Sequence, residues 1–247
     1  MMLQDKICLV TGASRGIGRE ISRLLAGNGA QVILNYNSSA TAAQKLADEI
    51  IAEGGKATTV KADVSSREEV DEMFKFIRKE FKRLDVLVNN AGILRDNLML
   101  MTPDSDYDAI MDVNLKGTYN CMQRAAKMMM RKQSGKIINM ASIIGRYGNA
   151  GQVVYGGTKA GVIGMTMSAA KELGPLGITV NAVAPGLIET EMIDQLKDEF
   201  KAKLIDNTAL KRIGKPIDVA RVVLFLSSEL SDYVSGQTIG VDGCQVV

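Results

Sequence analysis

Lys6-Ile-Cys-Leu-Val10, followed at once by Thr11-Gly-Ala-Ser-Arg-Gly-Ile-Gly18, decides how this chain folds. The first five residues are an apolar run of strand length, and Arg19 to Ala26 has the spacing of a helix. Strand, glycine-rich turn and helix in that order make the first half of a dinucleotide-binding βαβ unit. Gly12 permits the tight turn, Gly16 lets backbone approach a pyrophosphate, and Gly18 allows close helix packing, while the helix N-terminus attracts phosphate. The spacing is G-x-x-x-G-x-G rather than G-x-G-x-x-G. A structural turn could use the same glycines, so the weight rests on the remainder of the chain.

Beyond Ala26 the pattern is a regular alternation. Strands are expected at Gln31–Asn35, Ala57–Lys61, Val86–Asn89, Lys136–Met140 and Ile178–Val183. Helices are expected at Ala40–Glu53, Ser66–Phe81 with a serine cap, about Pro103–Arg131, and Gln152–Leu173. The alternation predicts a single-domain α/β fold, a doubly wound parallel sheet of Rossmann-like type with helices on both faces. No linker, charge block or short repeat marks a second domain in the 247 residues.

Composition removes whole classes of function. A net charge of +2, spread along the chain, gives no basic groove, so nucleic acid is not an expected partner. No apolar run approaches a membrane span and no signal segment precedes the first strand; a soluble cytoplasmic protein is expected. Cys8, Cys121 and Cys244 lack metal-ligand spacing and read as reduced, structural thiols, and no metal is expected. The chain has no histidine, which excludes a Ser-His-Asp triad, a histidine base and an HExxH zinc site. Proton transfer falls to Tyr, Lys, Asp, Glu or Cys.

Tyr155 and Lys159 suit that task. Four residues apart on a helix, they share a face, and a cation beside a phenol favours the phenolate, lowering its pKa. Alone, such a spacing is common on solvated helices. Small and amide residues stand at the successive strand ends, where ligands bind in doubly wound sheets: Ser14 and Arg15, Asn35 to Ser38, Asp63-Val64, Asn89-Asn-Ala-Gly92, Ser142, Pro185-Gly186 and Thr190. Each singly reads as a turn or cap residue; together they suit a long cofactor laid across the sheet edge.

Taken in order, TGASRGIG, Asp63-Val64, NNAG, Asn114, Ser142, YxxxK and Pro185-Gly186 resemble the short-chain dehydrogenase/reductase family over essentially the whole chain. Within it, Gly92–Met101, Gly148–Gln152 and Gly177–Gly186 are similar to the bacterial 3-oxoacyl-[acyl-carrier-protein] reductase branch, which reduces a thioester-bound β-ketone with NADPH. The resemblance implies a catalytic set of Asn114, Ser142, Tyr155 and Lys159. Tyr155 would donate the proton, Lys159 lower its pKa and hold the nicotinamide ribose, Ser142 bind the substrate oxygen, and Asn114 hold a water leading to solvent. It implies cofactor contacts from Gly12, Ser14, Arg15, Gly16, Ile17 and Gly18, and from Asn35, Tyr36, Asn37 and Ser38. Asp63, Val64, Asn90, Ala91, Gly92, Tyr155, Lys159, Pro185, Gly186, Ile188 and Thr190 complete them. An acidic residue at the end of the second strand would favour NAD; Asn35-Tyr-Asn-Ser38 and Arg15 favour NADP(H).

Two departures stand out. Gln133 and Leu176 occupy positions where the branch commonly carries basic residues toward its acidic carrier, with Arg131, Lys132, Lys136 and Lys171 nearby as substitutes. Gly240 replaces a frequent histidine, and Gly243-Cys244 a glycine pair. A substrate lid is expected across about 188–212, including an amphipathic helix at Met192–Leu204. Met122, Met128, Met129 and Met130 read as core or interface, and the resemblance implies a homotetramer. Another carbonyl substrate, an acyl-CoA or hydroxysteroid, and a regulator without turnover remain the alternatives.

Overall fold

In the computed structural model, which describes residues 1–189 and 205–245, Ile7–Val10 forms β1, and Cys8, Leu9 and Val10 are fully buried. A run apolar at every position suits a strand covered on both faces. The remaining strands are β2 (Gln31–Tyr36), β3 (Lys56–Lys61), β4 (Val86–Asn89), β5 (Gly135–Met140), β6 (Ile178–Pro185) and β7 (Thr238–Val241). They form one seven-stranded sheet in the order β3-β2-β1-β4-β5-β6-β7, parallel at every pairing.

Strand alternation sends neighbours into two cores. Cys8 and Val10 join a cluster with α1 (Gly16–Gly27), α2 (Ala40–Ala52) and α8 (Pro216–Ser227). Leu9 faces a second cluster, built on α3 (Arg67–Phe81), α5 (Gly117–Met129) and α7 (Val153–Leu173). Each fully buried Leu or Ile contributes roughly 1.5–3 kcal/mol relative to exposure, so the two cores hold the sheet edge rigidly. The chain winds β1 to β3 in one direction and resumes at β4 on the other side of β1. The crevice at that reversal, at the carboxyl ends of β1 and β4, is where a doubly wound sheet receives a ligand.

The expected elements stand with boundaries shifted by at most two residues, except that α1 begins three residues earlier, at Gly16, and Ser66 accepts a hydrogen bond from Glu69 N as the α3 cap. The long helical region is broken, however. It comprises α4 (Asp104–Ile110), a π-helical turn at Met111–Lys116, α5, and a 3-10 turn at Met130–Lys132. Among the described residues, two α-helices go beyond the expected set: a single turn, α6 (Ile144–Tyr147), and α8, which packs against α1. The α8 run Val222-Val-Leu-Phe-Leu226 is continuously apolar, and such a run reads equally as buried strand or buried helix. The helix expected at Met192–Leu204 and Thr190 lie outside the described residues, as does most of the expected lid. Of its ends, Ile188 bridges to Gly214 and Thr208 to Gln245. Among the described residues no helix is long and apolar enough to cross a membrane.

Candidate active site

The glycine turn is held by long-range bonds. Gly12 has φ +61° and Gly16 φ +52°, the left-handed region that favours glycine. A Cβ on Gly18 would lie 2.4 Å from Asn90 Nδ2 and 2.5 Å from the Gly12 carbonyl oxygen, so the helix start can approach the β4 loop only without a side chain. Asn90 Nδ2 donates to the Thr11 and Gly12 carbonyls at 2.9 and 3.0 Å, and Thr11 Oγ1 accepts from Asn90 N and Ala91 N at 3.0 Å each. Thr11 and Asn90 thus clamp the two loops flanking the crevice. The Asn90 side chain braces the turn, a role that the sequence alone does not separate from ligand contact. At the α1 N-terminus, Arg15 is the exposed N-cap and makes no capping bond, and the first turn has no acidic residue. A helix start of this kind leaves its first amides without intrahelical partners, and its dipole favours an anion. This fits the diphosphate of a dinucleotide.

On the β2 side, Asn35 is buried, not presented at the rim. Its Oδ1 accepts from Gly12 N at 3.3 Å, and its Nδ2 donates to the Ala62 and Val60 carbonyls at 3.0 and 3.5 Å. An aspartate here would turn a carboxylate oxygen toward those carbonyls. Tyr36 is half-buried, while Asn37 and Ser38 are exposed at the strand end. Asp63 receives Asn37 Nδ2 at 3.1 Å and the Ser65 amide and hydroxyl at 2.8 and 2.6 Å. Val64 is buried, and its carbonyl accepts from Asn120 Nδ2 at 3.1 Å.

Ser142, Tyr155, Lys159 and Asn114 converge at the carboxyl end of β5. The hydroxyl of Ser142 accepts from Ile144 N at 3.2 Å and stands close enough to the Tyr155 phenol to favour its ionised form. Lys159 is buried, its Nζ 5.6 Å from the Tyr155 ring centroid and 2.7 Å from the Met140 carbonyl oxygen, to which it donates. Burial lowers its pKa to about 8. The Tyr155 phenol moves opposite to the sequence-based expectation. Burial pushes it up, the neighbouring Ser142 hydroxyl pulls it down, and the charge of Asp96 pushes it up again. Burial is the largest of the three and wins; the ammonium of Lys159 donates to the Met140 carbonyl.

Asn114 is fully buried in the π-helical turn, a distortion that recurs at functional sites. Its Oδ1 accepts from Ile93 N at 2.8 Å and its Nδ2 donates to the Ile93 carbonyl at 2.9 Å. It thereby fastens the loop after β4. Gly92 sits between Asn114 and Lys159: a Cβ there would lie 3.2 Å from Asn114 Oδ1 and 3.7 Å from Lys159 Nζ. Thr158, Asp96 and the Met140 carbonyl belong to this site although the sequence alone does not single them out. Gln152 Nε2, just before α7, donates to Asp96 at 3.0 Å, a contact between remote residues that carries no local sequence signal.

Pro185 and Gly186 close the far side. The Pro185 carbonyl accepts from Ile143 N at 3.1 Å, and Gly186 N donates to the Val241 carbonyl at 3.0 Å. Ile188 buries its side chain in the α1/α8 core, leaving only backbone for a ligand. Gln133 and Leu176 lie at the amino ends of β5 and β6, at the opposite edge of the sheet from Tyr155. Two of the nearby basic residues are engaged internally, Lys136 with Asp232 at 2.8 Å and Lys132 with Asp85 at 3.7 Å. Met122 and Met129 are core, while Met130 is exposed. Cys8 and Cys121 are buried free thiols, burial pushing Cys121 up to about 12, whereas Cys244 is exposed.

A glycine turn at the switch point and a Ser-Tyr-Lys cluster on β5 and α7 define a class. A family model described as enoyl-(acyl carrier protein) reductase matches residues 12–244, and the chain belongs to this family, the short-chain dehydrogenases/reductases, oxidoreductases that use a nicotinamide cofactor. Among its relatives, the 3-oxoacyl-[acyl-carrier-protein] reductase FabG of Staphylococcus aureus is 48% identical over 242 residues, 98% of each chain. The 3-oxoacyl-[acyl-carrier-protein] reductase of Synechocystis is 46% identical over 99% of this chain and 98% of its own. A solved structure, a putative gluconate dehydrogenase from Agrobacterium tumefaciens, superposes with a TM-score of 0.96 at 34% identity, covering 99% of this chain and 98% of that one.

Proposed function

We propose that the protein is an NADPH-dependent 3-oxoacyl-[acyl-carrier-protein] reductase, converting a 3-oxoacyl thioester to the 3-hydroxyacyl thioester. The observation that carries this reading is the buried Lys159, its Nζ 5.6 Å from the Tyr155 ring centroid, with the Ser142 hydroxyl beside the Tyr155 phenol; relatives at 43–48% identity bear the same name over nearly their full length. When bound, the nicotinamide supplies the hydride to the keto carbon. Ser142 donates a hydrogen bond to the ketone oxygen and stabilises the charge that develops there. Tyr155, kept protonated by burial, delivers its proton to that oxygen. Lys159 stabilises the phenolate left behind and restores its proton, resupplied through water at the π-helical turn of Asn114. Gly12, Ser14, Gly16, Ile17 and Gly18 receive the diphosphate, and Asp63, Val64 and the Asn90–Gly92 loop line the rest of the cofactor's course.

NADP(H) is favoured over NAD(H) by charge: the strand-end residues Asn35, Tyr36, Asn37 and Ser38 carry none, and the exposed Arg15 offers a cation to a 2′-phosphate. We assign the enzyme to the cytoplasm as a single-domain homotetramer with 188–212 as its substrate lid, as the family resemblance of its sequence implies. A second reading, an alcohol dehydrogenase acting on a small hydroxy acid, is favoured by the superposition on the putative gluconate dehydrogenase and by Gln133 and Leu176.

NADPH oxidation with acetoacetyl-carrier protein, acetoacetyl-CoA and a ketosteroid, beside NADP+ reduction with gluconate, separates these. Fastest turnover on the carrier-bound substrate is expected. Turnover confined to gluconate or the steroid, or none at all, overturns the assignment.

A further inference from the structure

Strand β5 and the helix bearing Tyr155 are tied by a buried polar line outside the catalytic set. Asn89, the last residue of β4, pairs in register with Asn139 of β5, and its Nδ2 donates to Asn139 Oδ1 at 2.8 Å. Asn139 Nδ2 donates to Thr166 Oγ1 at 2.9 Å, and Thr166 Oγ1 donates to the Val162 carbonyl at 2.8 Å, one turn earlier in α7. Asn89 is 3% exposed and Asn139 and Thr166 are 0% exposed. Apolar side chains would fill this core without the desolvation cost of buried amides, so packing alone does not explain the line.

Its place in the fold does. Tyr155, Lys159, Val162 and Thr166 follow the helical repeat along one face of α7. The β4–β5 ladder ends at Asn89 and Asn139, and the next carbonyl of β5, that of Met140, accepts from Lys159. Helix α7 carries Gly156, Gly157, Gly161 and Gly164, so it has few large side chains to interlock with the sheet and resist axial sliding. A slide of one residue moves the helix about 1.5 Å, enough to break a hydrogen bond. A directional bond from strand to helix is what would prevent it.

We propose that Asn139 and Thr166 are positioning residues that set the register of α7 on β5, so that Lys159 meets the Met140 carbonyl beside the Tyr155 ring. The proposal rests on the assignment of Tyr155 as proton donor and Lys159 as its partner, and its test reads position as well as turnover.

The pair Thr166→Val and Thr166→Ser is compared with the wild type by lysine side-chain NMR titration, the Lys159 signal assigned with Lys159→Arg, and by steady-state kinetics. In the wild type one lysine titrates near 8, as its burial dictates. In folded Thr166→Val that titration moves up toward the ordinary lysine range and kcat falls about ten-fold, with KM for NADPH changed less than about two-fold; Thr166→Ser restores both. A folded Thr166→Val with wild-type titration and wild-type kcat overturns the proposal. Should Thr166→Val not fold, Asn139→Ser is read by the same criteria. If the wild type reduces no carbonyl, the assigned function fails, while the lysine titration still decides whether Thr166 positions Lys159.

Discussion

Lys159 Nζ donates to the Met140 carbonyl oxygen at 2.7 Å, on a strand end where β4 no longer supplies a partner. The contact compensates only part of the cost of burying an ammonium, which is why its pKa falls from 10.5 to about 8. The protein retains a charge that works against its own stability.

That cost has a sign and a window. Between about 8 and 10.5 the unfolded chain holds a proton that the folded chain has released, so stability rises with pH there, and below about 8 the penalty is present in full. At about 1.4 kcal/mol per pH unit it amounts to about 3 kcal/mol. Lys159→Met is therefore expected to stabilise the protein by ~1–3 kcal/mol at neutral pH, the gain disappearing near pH 10.5, while abolishing turnover. Urea unfolding at both pH values checks this; a variant less stable than wild type at neutral pH would contradict it.

Tyr155 is raised by burial, lowered by Ser142 and raised by Asp96. Ser142→Ala should move its ionisation further up and reduce kcat about 10²-fold, on the scale of an oxyanion-stabilising donor. Asp96→Asn should move the ionisation down. Tyrosinate difference spectra, with Tyr155→Phe as the blank, report both shifts. A downward move in Ser142→Ala would mean that the two hydroxyls do not interact as described.

Much of this arrangement is legible in the sequence because its causes are local. The β1 run and the glycine turn need no distant partner to be read, and the Tyr155–Lys159 spacing already puts both residues on one helix face. The features that escape depend on contacts between remote residues. The π-helical turn at Asn114 is coupled to the loop after β4 through Ile93, some twenty residues away, and helical periodicity does not show it. Likewise Asn35 stands at the expected strand end, yet its amide is consumed by Gly12, Val60 and Ala62. The upward shift of Tyr155 follows from burial and from the charge of Asp96, neither of which side-chain spacing encodes.

The proposed preference for NADP(H) turns on Arg15, exposed at the α1 N-cap. Arg15→Ala should weaken NADPH binding about ten-fold, roughly 1.4 kcal/mol, and leave NADH binding nearly unchanged. Fluorescence titration with the two cofactors measures it. Equal losses for both would remove Arg15 from 2′-phosphate recognition.

Gly18 tests the close approach of the turn to β4. An added Cβ would meet Asn90 Nδ2 at 2.4 Å and the Gly12 carbonyl at 2.5 Å, the latter being backbone that cannot swing away. Gly18→Ala is expected to cost about 1–3 kcal/mol of stability by overpacking and to weaken cofactor binding. Thermal unfolding with and without NADPH checks both effects.

Every role proposed for this site depends on Tyr155 supplying the proton in a carbonyl reduction. Single-turnover NADPH oxidation with acetoacetyl-carrier protein isolates that step when wild type and Tyr155→Phe are compared at cofactor concentrations shown by titration to saturate both. The expected result is rapid oxidation by the wild type and a loss of at least about 10²-fold in Tyr155→Phe with NADPH binding preserved. Comparable rates in the two proteins would show that the proton comes from elsewhere.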